Sequence, residues 1–198
     1  MLASSNLENF WSFGWFVEAD RTTACGEEEV GWQPPPLNQI KLNVDGSFDM
    51  LTGQSGWGYV LRDPSGGVVD LSCHQGSSNS AFVAEAEALH SAVRRNIERD
   101  LGNVIVESDN LGLVEAVNKR KKYSDRAADI FVADLQNLFR LNSNFSLVYI
   151  PRKCNLVADW LAKAGRKGTR PFGWDICPPS PLFALLNVEK VGCKSGVG

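Results

Sequence analysis

The sequence predicts an α/β fold, a mixed sheet held between layers of helices, and three observations predict it. Residues 40–74 alternate apolar and polar side chains in three runs separated by glycine-bearing turns, which marks an antiparallel meander. "NVIVES", from Asn103, is a compact β-branched run, as expected of a strand covered on both faces. The remaining periodic segments are helical and interleave with strands, the order that crossover connections produce.

The first strand rests on Ile40, Leu42 and Val44 alternating with Lys41, Asn43 and Asp45. "GWGYVLRD" and "VVDLSCH" supply the next two, joined by the turn "DPSGG". A long helix follows in "SAFVAEAEALHSAVRRNIER", with Ser80 or Asn79 available as its cap. After "NVIVESD" come two helices, "LGLVEAVNK" and "RAADIFVADLQNLFRL", then the strand "FSLVYI" and the helix "LVADWLAKAG". These elements span a domain expected at residues 37–167. Residues 1–36, with Phe10, Trp11, Phe13, Trp15, Phe16, an acidic "GEEE" and Pro34 to Pro36, read as a linker. Residues 168–198 read as a proline-containing tail without a clear period, whose apolar residues could pack on the domain.

The composition, 43% hydrophobic and 22% charged, is that of an ordinary globular chain and indicates no pervasive disorder. No apolar run approaches the roughly 20 residues of a membrane span, and the amino terminus lacks the basic start of a secretory signal. The expectation is an intracellular protein of nucleus or cytoplasm, not secreted and not on a membrane. Five cysteines, odd in number and without a C-x-x-C pair, argue against a disulfide framework or a structural zinc site. The net charge of -3 argues against holding nucleic acid by bulk charge. Such contact must be local, at "KRKK" (Lys119 to Lys122), at Arg152 and Lys153, or at Lys163, Arg166, Lys167 and Arg170.

Four carboxylates fall at the ends of these elements: Asp45, a glutamate of the long helix, Asp109 and Asp159. Adjacent first and fourth strands would set Asp45 beside Asp109, and close carboxylates require shared protons or a divalent cation. All-oxygen ligation without histidine or cysteine favours a hard ion such as magnesium or manganese. Of the two helix candidates, Glu85 lies about 70° from the centre of the stripe Phe82, Ala86, Leu89, Val93 and Ile97, and Glu87 about 130° away. Glu85 therefore faces the other acids and Glu87 faces water. Each acid taken singly also has a structural explanation: Asp45-Gly46 as a turn, Asp109 as a helix cap, Asp159 as the ion-pair partner of Lys163 four residues on.

"WQPPPLNQIKLNVDGSF", "GWGYVLRDPSG", "AEAEAL", "VIVESDN" and "YIPRKCNLVADWLAK" together resemble a ribonuclease H domain of the plant retroelement, reverse-transcriptase-like type, from about Trp32 to Ala164. The resemblance implies a ribonuclease H-like three-layer fold with a five-stranded mixed sheet, and hydrolysis of the RNA strand of RNA/DNA hybrids. It maps the catalytic and metal-ligating acids onto Asp45, Glu85, Asp109 and Asp159. It further implies two magnesium ions, with manganese as a substitute, straddling the scissile phosphate roughly 4 Å apart. Asp45 would bridge them, Glu85 and Asp109 would complete one sphere and Asp159 the other, while Glu85 could also bond the 2′-hydroxyl beside the cut.

Better-studied bacterial relatives carry a histidine on a longer loop before the last helix. Here "PRKCN" makes that connection, neither His74 nor His90 matches, and Arg152 is expected in the histidine's place. Asn155 is expected to cap the last helix or to bind substrate, and Lys119, Lys121 and Lys122 to contact phosphate. The alternative to an active endonuclease is a non-catalytic nucleic-acid-binding module derived from a retroelement domain.

Overall fold

The computed structural model describes residues 31–99, 101–119, 126–169 and 172–191. The aromatics and acids expected in a linker at residues 10–29, together with Lys121, Lys122 and Arg170, lie outside the described residues.

Five strands form one sheet: β1 (Gln39–Phe48), β2 (Ser55–Arg62), β3 (Val68–Gly76), β4 (Asn103–Ser108) and β5 (Phe145–Tyr149). Their order is β3-β2-β1-β4-β5. The meander pairs are antiparallel, whereas β4 joins β1 and β5 in parallel. The helices are α1 (Ala81–Ile97), α2 (Leu111–Asn118), α3 (Arg126–Leu141), α4 (Leu156–Arg166) and α5 (Ser180–Val191). The expected five-stranded mixed sheet between helical layers is thus the observed architecture.

Period explains the layers. Leu42 and Val44 of β1, with Tyr59, Leu61, Val104 and Val106, form the core beneath α1, α2 and α3. On the opposite face Val60, Leu71 and Cys73 pack against Val157, Leu161, Leu182 and Leu186 of α4 and α5. Alternation on β1 therefore separates two buried faces rather than core from water. Asn43 is fully buried and Asp45 nearly so.

A polar network makes that second face possible. Glu107 accepts from Asn43 (2.8 Å) and from the Trp32 indole (3.0 Å), and pairs with Lys41 (2.6 Å). Arg62 donates to Asn43 (2.8 Å), lies 3.7 Å over the Trp32 ring and pairs with Glu189 of α5 (2.5 Å). Buried charges persist only when paired and hydrogen-bonded in this way.

The network also reaches beyond residues 37–167 on both sides, through Trp32 and Glu189. Trp32 is 2% exposed, and α5 arises where a tail was expected, burying Leu182, Leu186 and Glu189. Packing against the sheet, not local period, creates this helix. Among the described residues no helix is long and apolar enough to cross a membrane.

Candidate active site

The site assembles at the carboxyl ends of β1 and β4, where parallel pairing sets Val44 opposite Ser108 and so brings Asp45 next to Asp109. β1 continues through Gly46, which pairs with Trp57, on to Phe48. The expected turn at Asp45-Gly46 is therefore absent, and Gly46 serves close approach instead. A Cβ there would lie 2.5 Å from the carbonyl carbon and oxygen of Ala84. Only glycine lets the first turn of α1 rest on the strand, and that contact delivers Glu85 to Asp45. The Gly46 amide donates to Glu85 Oε2 at 3.1 Å.

The residues flanking the acids carry the tasks that would otherwise occupy them. Ser80 caps α1, accepting from the Val83 amide. Glu87, expected to face water, is half-buried and binds the Ser77 amide and Ser78 hydroxyl, fixing the β3–α1 connection. Asn110, not Asp109, caps α2 by accepting from the Leu113 amide at 3.0 Å. Asp109 is left to face the site.

One carboxylate oxygen each from Asp45, Glu85 and Asp109 lies within 4.8 Å of the other two. Burial, reinforced by the charges of Glu85, Asp109 and Asp159, raises the Asp45 carboxyl well above its ordinary value, against a smaller opposing pull from Arg152. Burial and then Asp109 push Glu85 up to about 8, although the Gly46 amide and Arg152 act the other way. Such a set cannot be fully ionised near neutrality without positive charge. An all-oxygen donor set in this state fits a hard divalent cation.

Asp159 stands at the rim of this triad. Its oxygens are engaged by Lys163 (2.6 Å), as the helical spacing led one to expect, and by Arg152 Nη2 (3.4 Å). The structure therefore brings three of the four expected acids within 4.8 Å of one another and keeps the fourth within electrostatic reach.

Arg152 is 76% exposed on the single 3-10 turn Arg152–Cys154 before α4, and its Nε lies 3.9 Å from Asp109. The bond to Asp159 raises the guanidinium above its ordinary value. Among the described cations it is the one that contacts both Asp109 and Asp159.

Asn155 is fully buried and occupies the cap position of α4 as expected, although its side chain makes no capping bond there. Its amide donates to the Val44 carbonyl (3.0 Å) and to Asp109 Oδ1 (3.4 Å), tying β1, β4 and α4 together beneath the acids. Nothing in an isolated sequence signals which way such an amide turns. Lys119 is exposed at the end of α2 and pairs with Glu115 at 2.6 Å.

No curated protein is significantly similar to the chain. Among solved structures, ribonuclease H1 from the halophilic archaeon Halobacterium salinarum is 19% identical, with a TM-score of 0.59, and the match covers 66% of this chain and 99% of that one. LC11-RNase H1, isolated from compost by a metagenomic approach, is 25% identical with a TM-score of 0.61, covering 67% and 98%. A structure of LC11-RNase H1 in complex with an RNA/DNA hybrid matches at 24% identity and a TM-score of 0.59, covering 65% and 97%. A profile of reverse transcriptase-like proteins matches residues 43–165, more than half of the chain. All three members of the carboxylate triad fall within the matched region, on a ribonuclease H fold, and the chain belongs to the reverse transcriptase-like family.

Proposed function

We propose that the protein is an endonuclease that hydrolyses the RNA strand of RNA/DNA hybrids, using two magnesium or manganese ions. The observation that carries this reading is the triad Asp45, Glu85 and Asp109, its oxygens within 4.8 Å of one another and its first two members driven toward protonation when no cation is near. The solved relative in complex with an RNA/DNA hybrid supports the choice of substrate. The plant retroelement affiliation implied by the sequence blocks, and a nuclear or cytoplasmic setting, belong to the same proposal.

Asp45, Glu85 and Asp109 would hold the ions, with Asp159 completing the set. Divalent cations held there would supply Lewis acidity and lower the pKa of water, the chemistry that hydrolysis of a phosphodiester to a 5′-phosphate and a 3′-hydroxyl needs. The chain's own residues set the geometry. Gly46 and the first turn of α1 hold Glu85 against Asp45, and Asn155 fixes Asp109. Arg152, which is exposed, would leave Asp159 and meet the charge that grows on the departing 3′ oxygen or the product phosphate. Glu85 would bond a 2′-hydroxyl, a group that DNA lacks. Lys119, with Lys121 and Lys122, would contact phosphate outside the site.

The test is cleavage of end-labelled hybrid, single-stranded RNA and duplex DNA with magnesium, by wild type and Asp45→Asn. Cutting confined to the RNA of the hybrid and abolished in the variant supports the proposal. Equal cutting by both proteins without metal contradicts it. A second reading, a non-catalytic hybrid-binding module, is favoured by one observation: Lys163 and Arg152 already occupy the oxygens of Asp159. Binding of hybrid without cutting by either protein would select it.

A further inference from the structure

Helix α4 carries Asp159 and must satisfy the free amides of its first turn. Asparagine is among the strongest residues for that task, and Asn155 stands at the cap position. Yet its side chain turns away to Val44 and Asp109, and its Oδ1 is buried without a hydrogen-bond partner. The acceptor comes from elsewhere. Glu189 Oε1, on α5, accepts from the Val157 amide at 3.2 Å, while Oε2 pairs with Arg62 at 2.5 Å. Both side chains of that pair are at most 2% exposed, so the arrangement is built into the interior.

Resting on the proposed metal-binding role of the acids, we infer that Glu189 is a positioning residue for the site: by capping α4 from α5, it releases Asn155 to hold Asp109 and β1. The two tasks compete for one amide side chain. With Glu189 in place, Asn155 serves the site. Without it, Asn155 Oδ1, on the cap residue itself, would be drawn to the first turn of α4, and turning that oxygen inward would take the amide off Asp109. Helix α5 is by this reading a working part of the domain, beyond the span 43–165 that defines the family match.

The experiment uses the full chain in three forms: Arg62→Met/Glu189→Met, Asn155→Ala, and the triple variant. Replacing a buried ion pair by apolar residues of similar volume is commonly neutral for stability, so the double variant is chosen to keep the fold while removing the cap. Manganese alone is titrated calorimetrically into each protein. Loss of a group that orients a metal ligand typically costs about 10- to 100-fold in affinity. We expect about tenfold or more for the double variant, a similar loss for Asn155→Ala, and no further loss in the triple variant, since both act through one contact. Multiplicative losses, or wild-type affinity in a folded double variant, overturn the inference.

Two further readings are independent of metal. In the wild-type protein the Val157 amide is expected to resist hydrogen exchange, and the Asn155 side-chain amide signals are expected to move in the double variant. A Val157 amide exchanging as freely as an exposed first-turn amide, or unmoved Asn155 signals, also overturns it. Should the double variant fail to fold, Arg62→Leu/Glu189→Leu, which also lacks the acceptor, takes its place for all readings, and Glu189→Gln, which keeps an acceptor oxygen for the Val157 amide, is expected to retain wild-type metal affinity. A wild type that binds no manganese refutes the metal role of the acids, and the amide signals then decide the role of Glu189 by themselves.

Discussion

Gly46 and Glu85 lie on different elements, yet the backbone amide of one donates to the carboxylate of the other at 3.1 Å, and the space for a side chain at Gly46 is filled by the backbone of Ala84. The contact sets the distance between the first two acids of the site. Gly46→Ala should force α1 off β1. We expect a loss of stability of about 1–3 kcal/mol from overpacking and a fall in hybrid cleavage of about 100-fold, because misplacement by about 1 Å is costly in a reacting constellation. Urea denaturation and single-turnover cleavage measure the two.

The raised acids make stability depend on pH and on metal. Glu85, pushed up to about 8 from an ordinary 4.5, retains in the folded, cation-free protein a proton that the unfolded chain has released. Its contribution to stability is therefore fully present below about pH 4.5 and is lost as pH rises through about 8. Asp45, also raised, acts in the same direction. Thermal unfolding in chelator should show a melting temperature that declines from about pH 5 to about pH 9 by more than it does in Glu85→Gln. Magnesium should restore most of the wild-type loss at the alkaline end and little at the acid end.

Arg152 is the one described cation that touches both Asp109 and Asp159, and it is mostly exposed. Arg152→Ala should leave the fold intact and lower turnover by about tenfold or more if it stabilises leaving-group charge. Its removal also takes positive charge from the acids, so manganese binding should be unchanged or tighter. Weaker turnover with tighter metal binding separates this role from general damage to the site. Steady-state kinetics and calorimetry give the two readings.

Lys163 competes for Asp159. As an exposed i,i+4 partner at 2.6 Å it contributes about 0.3–0.5 kcal/mol to stability. Lys163→Ala should therefore alter the denaturation midpoint little, while lowering the magnesium concentration for half-maximal cleavage. An unchanged or higher requirement would remove Asp159 from the metal-binding set.

The elements that position the triad were legible because their patterns are local. The alternation of Ile40, Leu42 and Val44, the β-branched run of β4 and the stripe on α1 each state their own geometry, and together they order the acids. What was not legible depends on partners distant in sequence. Asn43 and Lys41 showed only as the polar half of an alternation, because nothing nearby announces Glu107, Arg62 and Trp32 as their company. Helix α5 was hidden for the same reason, since its leucines acquire a face only once α4 and the sheet are assembled. Gly46 was read for its freedom to bend, whereas its use is the room it leaves for α1. Asn155 sat at the right position for a cap, but the direction of its amide depends on Glu189, 34 residues downstream.

The chemistry of the cut ends tests the central claim most directly, because water activated at a divalent-metal site and attack by the neighbouring 2′-hydroxyl leave different products. Mass spectrometry of RNA released from a hybrid should show 5′-phosphate and 3′-hydroxyl ends, formed with magnesium and absent with chelator or Asp45→Asn. Cyclic 2′,3′-phosphate ends, or the same ends in chelator, would contradict a hydrolytic site built on Asp45, Glu85 and Asp109.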